Sequence, residues 1–288
     1  MKSTVYFTRQ ITPAAVLKLY KLLGKELPGN VAIKVHSGEE GNQNFLRPAF
    51  WKDVVDYVGG TIVECNTAYE GARNTTERHV ALFKKHGWSE MYTVDLLDAK
   101  GPDLVLEIPH GKQIHKNFVG KDIANYDSTL VLSHFKGHPM GGYGGALKQL
   151  SIGFASSYGK AYIHGVGDPD HFWDRKQDDF LEAMADAAWS VDKYFNGNAV
   201  YVNVMKNMSV DCDCCGTAED PCVGDMGVLI SLDPVAIDQA CVDILYASDD
   251  PGKAKLIERI ESRNGLHTLE VAEQLGIGSR EYELITVE

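Results

Sequence analysis

Three short runs near the front of the chain are apolar on both faces and separated by helical patterns: residues 31–37 (VAIKVHS), 61–65 (TIVEC) and 129–132. A strand that is apolar on both faces must be covered on both sides, and strands joined through helices pair in parallel. Helical spacing supports this, as at Val16, Leu19, Tyr20 and Leu23 after Thr12-Pro13, and at 47–57 and 75–85. Further strands are expected at 3–9, 104–108, 201–206, 227–231 and 284–287, and further helices at 178–195, from Pro234, at 252–262 and at 268–275. Residues 159–174 read as irregular. The expected class is α/β, a mainly parallel sheet with helices on both faces. No repeat or linker interrupts the chain, so 1–288 reads as a single α/β domain, with 1–155 and 156–288 as the lobes into which it would divide. Ligands of such sheets sit beyond the carboxyl ends of the strands, which draws attention to the turns that follow them.

Charge narrows the function. With 28 basic and 40 acidic residues the formal charge is −12, which disfavours a nucleic-acid backbone as partner. No apolar run reaches the roughly 20 residues of a membrane span, and the opening MKSTVYFTRQ reads as a strand and not as a signal peptide. A cytoplasmic protein with no membrane and no nucleic-acid partner is expected. An anionic small molecule remains open where local groups supply positive charge, as does a homodimer.

Four of the six cysteines, Cys212, Cys214, Cys215 and Cys222, fall within 209–222, around Gly216 and Pro221. In a reducing compartment such a cluster reads as metal-binding or catalytic before it reads as a disulfide framework. Cys212 and Cys214 leave an extended backbone on the same face. Cys215 joins them if the chain turns at Gly216, and Cys222 returns seven residues later. The spacing is neither a C-x2-C zinc knuckle nor a ferredoxin run. Asp211, Asp213, Asp220 and Asp225 surround the thiols, and their charge favours a bound cation over a free nucleophilic thiolate. The candidate guests are an iron–sulfur cluster or a zinc or iron ion; inert, reduced turn cysteines are the plain alternative.

The stretch 133–149, SHFKGHPMGGYGGALKQ, is the second candidate. His134 and His138 share a face in extended backbone, and Lys136 adds a cation between them. Gly144 and Gly145 open a helix whose first N–H groups could hold an anion with help from Lys148; close helix–sheet packing explains the glycines equally well. Lys34 and His36 end the second strand at the same expected rim. Cys65 reads as a buried hydrophobe, and Asp238, one turn into the helix at Pro234, needs a partner if buried.

Together the segments 31–42 (VAIKVHSGEEGN), 66–73 (NTAYEGAR), 133–153, 211–214 (DCDC) and 231–243 (SLDPVAIDQACVD) resemble the domain-of-unknown-function family 362, often labelled uncharacterised iron–sulfur-centre proteins. Many members carry a ferredoxin-type insert; here 156–179 holds no cysteine, so the two-cluster electron-transfer reading does not transfer. The histidine–lysine–glycine loop is also distantly similar to the site loop of nickel-dependent lactate racemases. Two functional classes follow. In the first, Cys212, Cys214, Cys215 and Cys222 hold a metal or cluster, while Lys34, His36, Gly144, Gly145 and Lys148 bind an anion. In the second, a metal-independent or nickel-type isomerase or lyase, His134 and His138 do acid–base work with Lys136 beside them. A carrier of metal or cluster without turnover is a third possibility.

Overall fold

The computed structural model describes residues 2–171 and 173–288. The strands are β1 (Ser3–Thr8), β2 (Val31–Lys34), β3 (Thr61–Glu64), β4 (Val94–Leu96), β5 (Leu104–Glu107), β6 (Lys116–Val119), β7 (Ser128–His134), β8 (Lys136–His138), β9 (Gly142–Gly144), β10 (Ala199–Met205), β11 (Gly227–Ser231) and β12 (Tyr282–Thr286). Among the described residues an eight-stranded sheet has the order β12-β1-β11-β10-β7-β2-β3-β4. All of its strands run one way except β11, which is antiparallel to both β10 and β1. The chain is thus α/β with a mainly parallel sheet, and strands from both ends of the sequence interleave in it.

The helices are α1 (Pro13–Leu23), α2 (Lys52–Val58), α3 (Thr76–Lys85), α4 (Trp88–Met91), α5 (Ala146–Phe154), α6 (Ser157–His164), α7 (Gln177–Phe195), α8 (Pro234–Ala247), α9 (Lys253–Ser262) and α10 (His267–Gln274). They split the core by the period-two alternation of the strands. Leu130, Leu132, Val200 and Val202 pack with Val16 and Leu19 of α1 and Val54 of α2. Val131 and Tyr201 pack on the other face with Leu150 of α5, Val191 of α7 and Ile237 of α8. No helix among the described residues is long and apolar enough to cross a membrane.

Two local differences from the sequence reading matter for the site. Part of the stretch read as irregular is helix α6, whose cap, Ser156, accepts a hydrogen bond from the Gly159 amide. Gly159 hides the helix from a propensity reading, yet a side chain there would meet the Phe118 carbonyl at 1.9 Å, so the residue is dictated by packing. The histidine–glycine loop is also more regular than expected, because β8 and β9 form a small antiparallel hairpin beyond the end of β7. The turns after β2, β3, β7 and β10, all parallel, meet at one rim.

Candidate metal and anion site

After β10 the chain runs through Asp211-Cys212-Asp213-Cys214 in a form that sends alternate side chains to different partners. Asp213 is buried and takes a hydrogen bond from His134 Nδ1 at 2.8 Å and an ion pair from Lys136 Nζ at 2.9 Å. Lys136 Nζ also donates to the His134 carbonyl at 2.8 Å, and His134 Nε2 donates to the Lys206 carbonyl at 2.5 Å. Burial works against the Asp213 carboxylate, but the charges of His134 and Lys136 outweigh it and hold the group well below the usual carboxylate range. Arg259 anchors the segment from outside, donating to the Val210 carbonyl at 2.7 Å. The Asp213 carbonyl in turn accepts from the Glu39 amide at 2.8 Å, and Asn42 Nδ2 donates to the Cys215 carbonyl at 2.8 Å. The turn after β2 and the thiol segment are therefore one laced unit.

This lacing aims Cys212 and Cys214 the other way, toward His138. Ligand atoms of His138, Cys212 and Cys214 all lie within 4.8 Å of one another. Lys148 Nζ, from α5, stands 3.7 Å from Cys212 Sγ. The hydrogen bond from the Cys214 thiol, together with Lys148, Lys136 and His138, overcomes burial and pulls the Cys212 thiol well below its ordinary value. Cys214, facing that negative sulfur, is pushed well above. His138 Nδ1 accepts from the amides of Gly141 at 2.9 Å and Met140 at 3.2 Å. The proton of the neutral ring therefore sits on Nε2, and burial holds the ring neutral.

His138 and Cys214 form part of the wall of a cavity of about 200 Å³, with Cys212 fully buried behind them. Lys34, Arg73, Lys148 and Lys160 also line it. Arg73 is spent on Glu39 at 3.1 Å and Glu64 at 3.2 Å, and these partners with Tyr69 outweigh burial and raise its pKa. Glu64 is held well below the usual range because His79, Lys34 and Arg73 outweigh its burial. The three lysines form no ion pair with a carboxylate among the described residues. Lys160 Nζ donates to the Ala155 carbonyl at 2.5 Å, and Lys34 Nζ donates to the Val35 carbonyl and, at 3.2 Å, to Gln149 Oε1. Burial lowers His36 well below its ordinary value and His164 to about 4, so both rings are neutral. The cavity carries surplus positive charge, chemistry suited to an anion.

The expected site residues thus divide. His138, Cys212, Cys214, Lys148, Lys34 and His36 lie in or against one cavity. The structure places His134 and Lys136 on Asp213, with both ring nitrogens of His134 facing oxygen acceptors, and neither lines the cavity. Cys215 and Cys222 lie outside the donor group; Cys215 Sγ faces Thr217 Oγ1 at 3.8 Å, and Cys222 Sγ donates to the Met208 carbonyl at 3.6 Å. Gly144 and Gly145 do not offer a free helix end. Asp238 accepts from the Ala146 amide at 2.7 Å and the Leu147 amide at 3.0 Å, filling the N-terminus of α5 with the protein's own carboxylate. A Cβ on Gly145 would stand 2.3 Å from Asp238 Oδ1, so close packing explains that glycine. His164, read in the sequence only as a residue of an irregular stretch that could reach the rim, lines the cavity, and Lys160 went unread, although their spacing of four within a short helix was the available signal.

A metal fits this site on its donor set. Two sulfurs and one imidazole are soft and borderline ligands of the kind zinc and iron take, and three protein donors leave a coordination position open. A cluster on four cysteines does not fit, because Cys215 and Cys222 are directed elsewhere.

Residues 31–243 match the model of a family described as a domain of unknown function, DUF362. No curated protein sequence matches the chain. Among solved structures, a lactate racemase apoprotein from Thermoanaerobacterium thermosaccharolyticum aligns at 14% identity and TM-score 0.42, covering 69% of this chain and 50% of that one. A protein from Thermotoga maritima aligns at 11% identity and TM-score 0.44, covering 91% of this chain and 58% of that one. The chain thus spans about half the length of either, and at these values the likeness says nothing of what this chain does.

Proposed function

The chain belongs to the DUF362 family, and from that premise we propose that it holds a zinc or iron ion on His138, Cys212 and Cys214 and presents it to an anionic small molecule in the basic cavity. The observation that carries this reading is the convergence of three ligand atoms within 4.8 Å at the wall of a cavity lined by lysines. With its fourth position open, such an ion supplies Lewis acidity to a bound ligand. The protein's part is to hold the two thiols on one side through the Asp213 clamp, to favour the Cys212 thiolate through Lys148, and to attract the anion through Lys160. Six free cysteines suit a reducing compartment, in keeping with a cytoplasmic protein. Metal entry must displace the Cys214 thiol proton, while neutral His138 releases no net proton, so affinity falls as pH falls.

Titration of chelator-treated protein with cobalt(II) under anaerobic conditions tests the reading. Sulfur-to-cobalt charge-transfer bands that saturate at one ion per chain, and vanish in Cys212→Ser, support it. One observation favours a metal-independent alternative. With Nδ1 held by two amides, the Nε2–H of His138 is placed to donate to Cys212, a thiolate–imidazole pair complete without an ion. Absence of cobalt bands in protein that keeps its melting temperature would favour that reading.

A further inference from the structure

Lys34 stands apart from the metal group. Its side chain is 1% exposed at the end of β2, yet it lines the cavity. Among the described residues its Nζ has two acceptors, the Val35 carbonyl and Gln149 Oε1. A neutral amine has two N–H bonds and one lone pair, so these two acceptors use both protons and leave the lone pair in the remaining tetrahedral direction. Two further lysines, Lys148 and Lys160, line the same cavity, and neither is neutralised by a carboxylate among the described residues; Lys160 donates only to a backbone carbonyl.

From this arrangement we propose that Lys34 is a nucleophilic amine and that the cavity accepts a small carboxylate bearing an aldehyde or ketone carbonyl, which Lys34 converts to an imine. The carboxylate of that ligand pairs with Lys160 and Lys148, and the carbonyl carbon faces Lys34 Nζ. The lone pair forms the C–N bond while the carbonyl π pair moves to oxygen. The oxygen then leaves as water, carrying the two amine protons, so no oxidant or reductant is consumed. Burial is the main cause that lowers the Lys34 pKa to about 7, with Lys160 and Lys148 acting in the same sense against Glu64 and Cys65. A large share of the amine is therefore uncharged at neutral pH.

The test is reductive trapping on the full-length protein, with pyruvate and glyoxylate as probes and borohydride as the reductant, followed by peptide mapping. The expected result is one reduced adduct on Lys34, formed at pH 7 at least tenfold faster than on exposed lysines such as Lys2. Lys34→Arg should lose it while keeping the wild-type melting profile. Should that variant fold poorly, the mapped position of the adduct in the wild type decides alone. No adduct at Lys34 with either probe, or adducts spread over surface lysines, overturns the proposal. The readout uses no metal, so its failure leaves the metal reading intact, and the reverse also holds.

Discussion

Asp213 Oδ1 lies 2.8 Å from His134 Nδ1 in a fully buried contact, and that pair turns the two flanking cysteines toward the cavity. Replacing the acid removes the only carboxylate that His134 and Lys136 engage among the described ion pairs. Asp213→Ala leaves two buried donors without their acceptor, and a loss of about 3–5 kcal/mol is expected by denaturant unfolding. The depressed carboxyl also sets a sign. The unfolded chain binds the proton more readily than the folded one, so this stability is fully present above about pH 4 and is lost as the solution becomes strongly acidic.

Lys148 tunes Cys212 through space at 3.7 Å. Lys148→Met removes a cation that favours the thiolate. The ultraviolet thiolate absorbance of metal-free protein should then titrate at a higher pH. An unchanged profile would mean that Cys214, Lys136 and His138 set the thiol's acidity without Lys148.

Asp238 caps α5 and also accepts from Asn203 Nδ2 at 2.7 Å. Burial outweighs these donors and raises its pKa to about 6. Between about pH 4 and pH 6 the folded chain therefore holds a proton that the unfolded chain has released, and this group's contribution falls as pH rises. Relative to Asp238→Asn, which does not titrate, the wild type should lose on the order of 3 kcal/mol across that window. Paired chemical-denaturation curves at the two pH values read the difference directly.

Gly145 has no space for a side chain against that same carboxylate. Gly145→Ala should lower the melting temperature by a shift equivalent to about 1–3 kcal/mol. If its effect came from a lost anion site instead, stability would be unchanged and only ligand affinity would fall.

The sheet was legible because fully buried parallel strands leave unbroken apolar runs, as in β2 and β7, and Cys212 and Cys214 were legible as a pair, although a turn closed by the Cys215 amide on the Cys212 carbonyl at 2.9 Å, and not extended backbone, brings them together. What joined them was not. The partnership of Asp213 with His134 spans 79 positions, and the Asp238 cap on α5 spans 92. Nothing local separates an acid that clamps a loop from one that faces solvent. Cys215 and Cys222 looked equivalent to their neighbours because density counts thiols without showing where they point. The helix that carries Lys160 and His164 was hidden by Gly159, which weakens a helical pattern for the sake of a contact with Phe118.

The most direct measurement is elemental analysis of protein purified anaerobically, for the wild type and for single replacements of His138, Cys212, Cys214, Cys215 and Cys222. Near-stoichiometric zinc or iron is expected in the wild type, in Cys215→Ser and in Cys222→Ser, with at least tenfold less in His138→Ala, Cys212→Ser and Cys214→Ser. A metal-free wild type with full thermal stability, or metal that survives loss of Cys212 and Cys214 but not of Cys222, would contradict the account.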